Sequence, residues 1–189
     1  KEMSRRSKDG ILTISVVFGN ATAGGAYVPG MSDYTIMQKH QSKVFLAGPP
    51  LVKMATNEES TDEELGGAQM HSTISGVSDF LAEDEDEAIK IARKVVEINV
   101  NEKISFLDKI DKTPKYKKDD ILGIIPENLK NPFDIRDLIV RFVDNSEFYE
   151  FKENYGITMK CGWSKINDHK IAIIASNGVI FSESAKKAT

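Results

Sequence analysis

The sequence has 189 residues, 40% of them hydrophobic and 29% charged, with a net charge of −4 and a single cysteine. That length can bury a real core, in one domain or two small ones, and the interspersed charge offers no basic face for nucleic acid. Lone Cys161 can close no intrachain disulfide and suits a reducing compartment.

The chain opens with "KEMSRRSKDG", which lacks an initiator Met and shows no signal peptide. "ILTISVVF", Ile11 to Phe18, is the longest apolar run, far below the roughly 20 residues that cross a bilayer. Its β-branched content and flanking glycines predict a buried strand. Next comes "GNATAGGAYVPG", Gly19 to Gly30, with glycines at 19, 24, 25 and 30 and almost no charge. Gly24-Gly25 are expected to open a short helix toward Met31, with Pro29 tolerable only in its first turn or if the helix ends early. "YTIMQKH" and "SKVFLAG" follow as short strands. Gly48-Pro49-Pro50 then breaks the chain, and "LVKMATNEESTDEELGGAQMHS" reads as two helical pieces around a polar loop.

"DEDEAIKIARKVVEIN" is the clearest helix, with Ala88, Ile91, Ala92, Val95 and Val96 at helical spacing and acids in the first turn. Asn101 to Asp120, rich in lysine and aspartate, is the best candidate linker. "DIRDLIVRFV" predicts a second amphipathic helix with Ile135, Leu138, Ile139, Phe142 and Val143 on one face. "GITMKCGWSKI" and "KIAIIAS" predict a hairpin joined through "NDH". "FSESAKKAT" reads as a helix just beginning, capped by Ser182 with Glu183 in its first turn. A chain that stops one turn into a helix reads as a piece of a longer one. The hydrophobic pattern restarts after the linker, so two α/β units flank it.

Four glycines after a strand raise the question of what approaches the backbone there. A Walker loop fails, because Gly25-Ala26 stands where Lys-Ser is required, and no G-x-G-x-x-G spacing occurs. An oxyanion hole fits better: N–H groups at a helix start point outward at the positive end of its dipole, and glycine lets a carbonyl reach them. Close strand–helix packing would explain the same pair. His40, His71 and His169 are scattered without metal-ligand spacing, so no metal site is expected and His71 reads as structural. The acidic run before "AIKIARK" reads as a solvated helix start, and Cys161 as core.

Extended outward, the stretch stops being generic. "ISVVFGNATAGGAYVPGMSD", "KVFLAGPPLVKMAT", "EELGGAQMHSTISGVSD" and "SNGVIFSESAKK" occur in one order over essentially the whole chain. Together they closely resemble the carboxyltransferase (β) subunits of biotin-dependent acyl-CoA carboxylases. "AGGAYVP" and "FLAGPPLVK" look most like the methylcrotonoyl-CoA and geranyl-CoA carboxylase branch. The resemblance implies an α/β, crotonase-like (ClpP/crotonase) fold of ββα units in a spiral, with parts of two such domains. Residues 1–104 would be the later part of the N-domain, 105–118 a linker, and 119–189 the opening of the C-domain. Departures fall in C-domain turns: "NDHK", Asn167 to Lys170, stands where the family usually has Gly-x-Pro, and Ala188 where it has glycine.

What the resemblance implies chemically is transfer of CO2 from carboxybiotin to an acyl-CoA, through enolates held in two oxyanion holes. Gly24, Gly25 and Ala26 would serve the thioester side, Thr22, Ala23 and Tyr27 the acyl pocket, and Gly48, Pro49 and Pro50 the CoA border. The second, C-domain hole and the other N-domain donor are expected outside these residues. Biotin would arrive on a biotin carboxylase or carboxyl carrier partner, in an oligomer of β subunits, commonly a hexamer, with neither nucleic acid nor membrane involved. Bacterial cytoplasm and mitochondrial matrix are both open. So are two other functions: a transcarboxylase or biotin-dependent decarboxylase component, and a non-catalytic acyl-CoA-binding module.

Overall fold

The computed structural model describes residues 2–99, 112–128 and 131–189; of the expected 105–118 linker, residues 105–111 lie outside the described residues. The chain forms two compact units, Lys1–Glu97 and Ile98–Thr189.

After a surface helix α1 (Glu2–Lys8), the first unit is built on parallel strands. β1 (Ile14–Val17), β3 (Tyr34–Gln38) and β5 (Phe80–Ala82) form one sheet in the order β1-β3-β5, in register Ile14↔Tyr34 and Ile36↔Phe80. β2 (Asn20–Thr22) and β4 (Lys43–Phe45) form a second parallel pair. The strand expected over Ile11 to Phe18 contracts to Ile14–Val17, because β3 provides no pairing partner before Tyr34; Asp33 Oδ2 accepts the Thr13 N–H instead. Central β3 is buried on both faces, as its "TIM" run requires. Side-chain alternation splits it between two clusters: Met37 joins Val17, Ala26, Val44 and Ala68, and Ile36 joins Ala82 and Ala88. The latter cluster is where helix α6 (Glu85–Asn99) lays down Ala88, Ile91 and Ala92; of the rest of the expected apolar face Val95 is buried, while Val96 is exposed. Its acidic start is a cap, since Asp84 Oδ1 accepts the Glu87 N–H at 2.7 Å.

Between β4 and β5 lie α3 (Pro49–Thr56), α4 (Asp62–Gly66), α5 (Ala68–Met70) and a π turn, His71–Ser75. Thr61 and Glu64 close a full capping box at the start of α4.

The second unit is antiparallel. Short helix α7 (Ile121–Ile124) precedes α8 (Ile135–Ile139), and β6 (Tyr149–Phe151), β7 (Met159–Ile166) and β8 (His169–Ser176) form a sheet in that order. The expected β7–β8 hairpin forms with a tighter join than "NDH": His169 pairs with Ile166 and opens β8, leaving Asn167-Asp168 as the loop. Asn167 and Asp168 both have positive φ, 50° and 67°, the requirement of a two-residue type I′ turn. Asp144 accepts both of their N–H groups at 2.9 Å, and Asp168 pairs in turn with Lys112. This clamp holds the turn where the family's Gly-x-Pro was expected.

The helix expected over 134–143 stops at Ile139. The chain then leaves helical geometry in a 3-10 turn, Asp144–Ser146, that delivers Asp144 to the hairpin. Ile139 and Val143 are buried while Phe142 stays exposed. The last helix, α9 (Ser182–Ala188), also differs at its cap: Phe181 occupies the cap position, and the Ser182 hydroxyl donates to Glu183 Oε1 at 2.7 Å. Beneath α9, Lys160 Nζ and Lys187 Nζ lie 3.1 and 3.2 Å from the same Glu150 Oε1, and Arg136 Nη1 3.5 Å from Oε2.

Candidate active site

β2 and β4 run side by side in register Ala21↔Val44 and Thr22↔Phe45, and both end at the same place. β2 passes directly into a 3-10 turn, Ala23–Ala26, and then the one-turn helix α2 (Tyr27–Gly30). β4 passes through Leu46 and Ala47 to Gly48, the cap of α3, with Pro49 and Pro50 opening that helix. The fold therefore gathers Thr22 to Tyr27 and Gly48 to Pro50 at the carboxyl ends of two neighbouring parallel strands, where open α/β sheets bind their ligands.

The glycine turn begins one residue earlier than expected. A 3-10 turn closes i→i+3 bonds, so the Gly25 N–H is the first its pattern engages, while the Thr22↔Phe45 pairing of the parallel β2–β4 ladder directs the Ala23 N–H to the Phe45 carbonyl; the Gly24 N–H has an acceptor in neither. Ala23 holds a left-handed φ of 49°. Such a conformation costs an alanine roughly 1–2 kcal/mol. A left-handed residue followed by right-handed ones makes successive N–H groups converge into an anion-binding concavity. Gly24 and Gly25 are exposed, and a Cβ built on either meets nothing within 4 Å. Ala26 is different: only 7% exposed, it anchors the turn in the cluster with Val44 and Ala68.

Tyr27, which follows this loop, is 57% exposed, and Leu46, just past the end of neighbouring β4, is 62% exposed. At Gly48 a Cβ would sit 3.4 Å from the Phe45 ring, so here glycine reflects tight packing. Pro49 and Pro50 line a cleft of about 560 Å³ together with Lys53, Glu59, Ser60, Thr61 and Glu64. Hydrogen bonds from the Thr61 N–H and hydroxyl hold the Glu64 carboxyl below its ordinary range. The sequence gives no signal for Lys53 or the Ser60–Glu64 wall, which become neighbours only once α4 packs on β4.

His71 is buried with both ring nitrogens engaged, Nε2 with the Val44 carbonyl and Nδ1 with the Ser75 hydroxyl, each at 2.6 Å. Cys161 is buried in β7, and burial pushes its thiol up. Among the described residues, no group of three or more His, Cys, Asp or Glu side chains is placed to hold a metal ion.

The carboxyl transferase domain model matches residues 1–189. The chain belongs to the carboxyl transferase domain family. This carboxyl transferase chain is 50% identical over 191 residues to a probable biotin-dependent acyl-coenzyme A carboxylase beta2 subunit of Mycobacterium tuberculosis, covering 100% of this chain and 36% of that one. It is 50% identical over 176 residues to the mitochondrial methylcrotonoyl-CoA carboxylase beta chain of Dictyostelium discoideum, covering 92% and 30%. Among solved structures, a transcarboxylase 12S structure with methylmalonyl-coenzyme A and methylmalonic acid bound superposes with a TM-score of 0.77 at 32% identity, over 87% of this chain and 32% of that one. The chain thus spans about a third of the length of the relatives it matches. Its mixed α/β fold is the crotonase-like one of the carboxyltransferases. No helix among the described residues is long and apolar enough to cross a membrane.

Proposed function

We propose that the full-length protein is the carboxyltransferase component of a biotin-dependent acyl-CoA carboxylase, acting on an acyl-CoA of the methylcrotonoyl-CoA class. One observation carries the site: Gly24 and Gly25 have no packing reason to be glycine, since open space adjoins both. The space they keep clear belongs to something outside this chain, and the Gly24 N–H, which neither the turn nor the β2–β4 ladder engages, suits a carbonyl oxygen gaining negative charge.

Biotin, carried on a partner, supplies the carboxyl group. This chain's task is to hold the thioester. Its oxygen accepts from the Gly24 N–H, while Gly25 keeps the approach open and buried Ala26 fixes the turn. As the proton leaves the acyl carbon for the base that partner-borne biotin would supply once its CO2 is released, charge moves to that oxygen, where the Gly24 donor already points, and the enolate attacks CO2. Thr22, Tyr27 and exposed Leu46 contact the acyl group. Gly48, Pro49 and Pro50 border the CoA along the cleft, whose rim carries Lys53.

The first unit is the later part of an N-domain and the second the opening of a C-domain, in an oligomer of β subunits such as a hexamer. The compartment is bacterial cytoplasm or mitochondrial matrix. Identity is higher to carboxylase subunits than to the methylmalonyl-CoA decarboxylase alpha subunit of Veillonella parvula, at 34%, which favours carboxylation over decarboxylation.

The test supplies the full-length chain with its biotin-bearing partner, ATP and labelled bicarbonate. Label entering methylcrotonoyl-CoA supports the reading. Label entering only propionyl-CoA overturns the substrate class, and ATP-independent carboxyl exchange from methylmalonyl-CoA points to a transcarboxylase. CoA thioester binding without any incorporation overturns catalysis.

A further inference from the structure

We infer that His71 is a positioning residue for the glycine turn, latching the outer edge of β4 so that β2 delivers Ala23 and Gly24 at a fixed place. This rests on the carboxyltransferase reading of the loop.

The hydrogen bonds define the ring. The Ser75 hydroxyl accepts the Val77 N–H at 3.2 Å, and its own proton faces two acceptors, His71 Nδ1 at 2.6 Å and the His71 carbonyl at 3.5 Å. The shorter contact takes it, so Nδ1 accepts and the hydrogen sits on Nε2. A carbonyl only accepts, so Nε2–H donates to Val44 O, as that tautomer requires. Ser75 thus sets the tautomer that makes the His71–Val44 bond.

Val44 is where that bond can matter. The Lys43 N–H points toward β2, donating to Gly19 O at 3.0 Å. One residue on, strand geometry turns the Val44 carbonyl to the opposite edge, away from β2. His71 fills that edge, which β2 cannot reach. On the other side, Val44 is in register with Ala21 and Phe45 with Thr22, the residue before Ala23. The same region is closely packed: a Cβ on Gly66 would clash with Val44 O itself, so His71 meets that carbonyl in a place with no slack. Val44, Ala68 and Ala26 share one core cluster, tying the latch to the far end of the turn as well. The imidazole is held by a π turn, a local widening of the helix that is frequent at functional sites.

His71→Gln and His71→Asn separate this role from mere core filling, because a glutamine amide nitrogen reaches the Nε2 position whereas asparagine reproduces only Nδ1. In the full-length enzyme with its biotin-bearing partner, His71→Asn should lower kcat by about 10- to 100-fold with KM for acyl-CoA within about threefold, as expected for displaced donors. His71→Gln should retain most of kcat. Amide hydrogen exchange over residues 19–27 should quicken in His71→Asn and stay near wild type in His71→Gln. Equal kcat and equal exchange in both variants would overturn the latch, as would a loss in His71→Asn that appears wholly in KM. Should the wild-type enzyme fail to carboxylate any acyl-CoA, the carboxyltransferase reading falls, while the exchange comparison still decides the latch by itself.

Discussion

Two glycine-bearing regions of the molecule use the residue in opposite ways. In the second unit, a Cβ on Gly162 would clash with the Tyr149 carbonyl across the β6–β7 ladder, and one on Gly156 would meet Glu183 O at 2.8 Å. Those glycines exist so that the chain can touch itself. In the first unit, Gly24 and Gly25 touch nothing, and the non-glycine beside them, Ala23, bears a left-handed φ. In the proposed reading, the loop that spends conformational energy on a shape and leaves its face empty makes room for the thioester. A loop that fills its glycine space is prepared for its own core. The electrostatics follow the same division, since the buried Glu150, Lys160 and Lys187 group belongs to the packed second unit.

The largest expected effect strikes that packed side. Glu150→Leu leaves two buried ammonium groups facing no shared carboxylate and should destabilise the second unit by about 3–5 kcal/mol, read from denaturant unfolding. Gly162→Ala should follow at about 1–3 kcal/mol, because backbone at the Tyr149 carbonyl has to move. If Gly162→Ala were silent while Gly25→Ala unfolded the protein, the division between the two regions would be reversed.

Ala23→Gly goes the other way. Relieving the left-handed φ should raise stability by about 1 kcal/mol, seen as a higher Tm. The smallest effect is a slope with pH. Burial pushes the Lys187 ammonium below its ordinary value of 10.5, against the pull of Glu150. The unfolded chain then binds that proton more readily, so stability rises with pH in the window that ends near 10.5 and falls away below it. Cys161, raised by burial, opposes this as its thiol ionises, since stability from a raised group is lost as pH rises. Unfolding free energy of Cys161→Ala should therefore climb with pH across that window, and adding Lys187→Met should flatten it.

What the sequence makes legible depends on how local the determinant is. The hairpin is readable because the apolar run "KIAIIAS" and the polar break "NDH" before it are local signals, although the turn closes one residue tighter than that break, and α6 because its apolar spacing and acidic start sit in one window. The glycine turn is readable as a place, through "AGGAYVP", and its partners at Gly48 to Pro50 through the same resemblance. Its chemistry is less so. Nothing in an alanine codon announces the left-handed φ at Ala23, which follows from where β2 ends beside β4. The His71 to Val44 bond spans 27 positions and the Lys187 to Glu150 contact 37, distances at which spacing carries no information. The Ser182 cap fails for a related reason: the chain's path into α9 puts Phe181 at the cap, and the hydroxyl finds Glu183 instead.

Turnover of Gly25→Val in the full-length enzyme, measured beside its Tm, tests the central claim most directly. Because a Cβ at residue 25 meets nothing within 4 Å in this chain, Tm should hold while kcat falls by about 10²–10³-fold, the loss typical of a disabled oxyanion site. Unchanged turnover in a normally folded Gly25→Val enzyme would contradict the account, because the open face over the glycines would then have no part in holding the thioester.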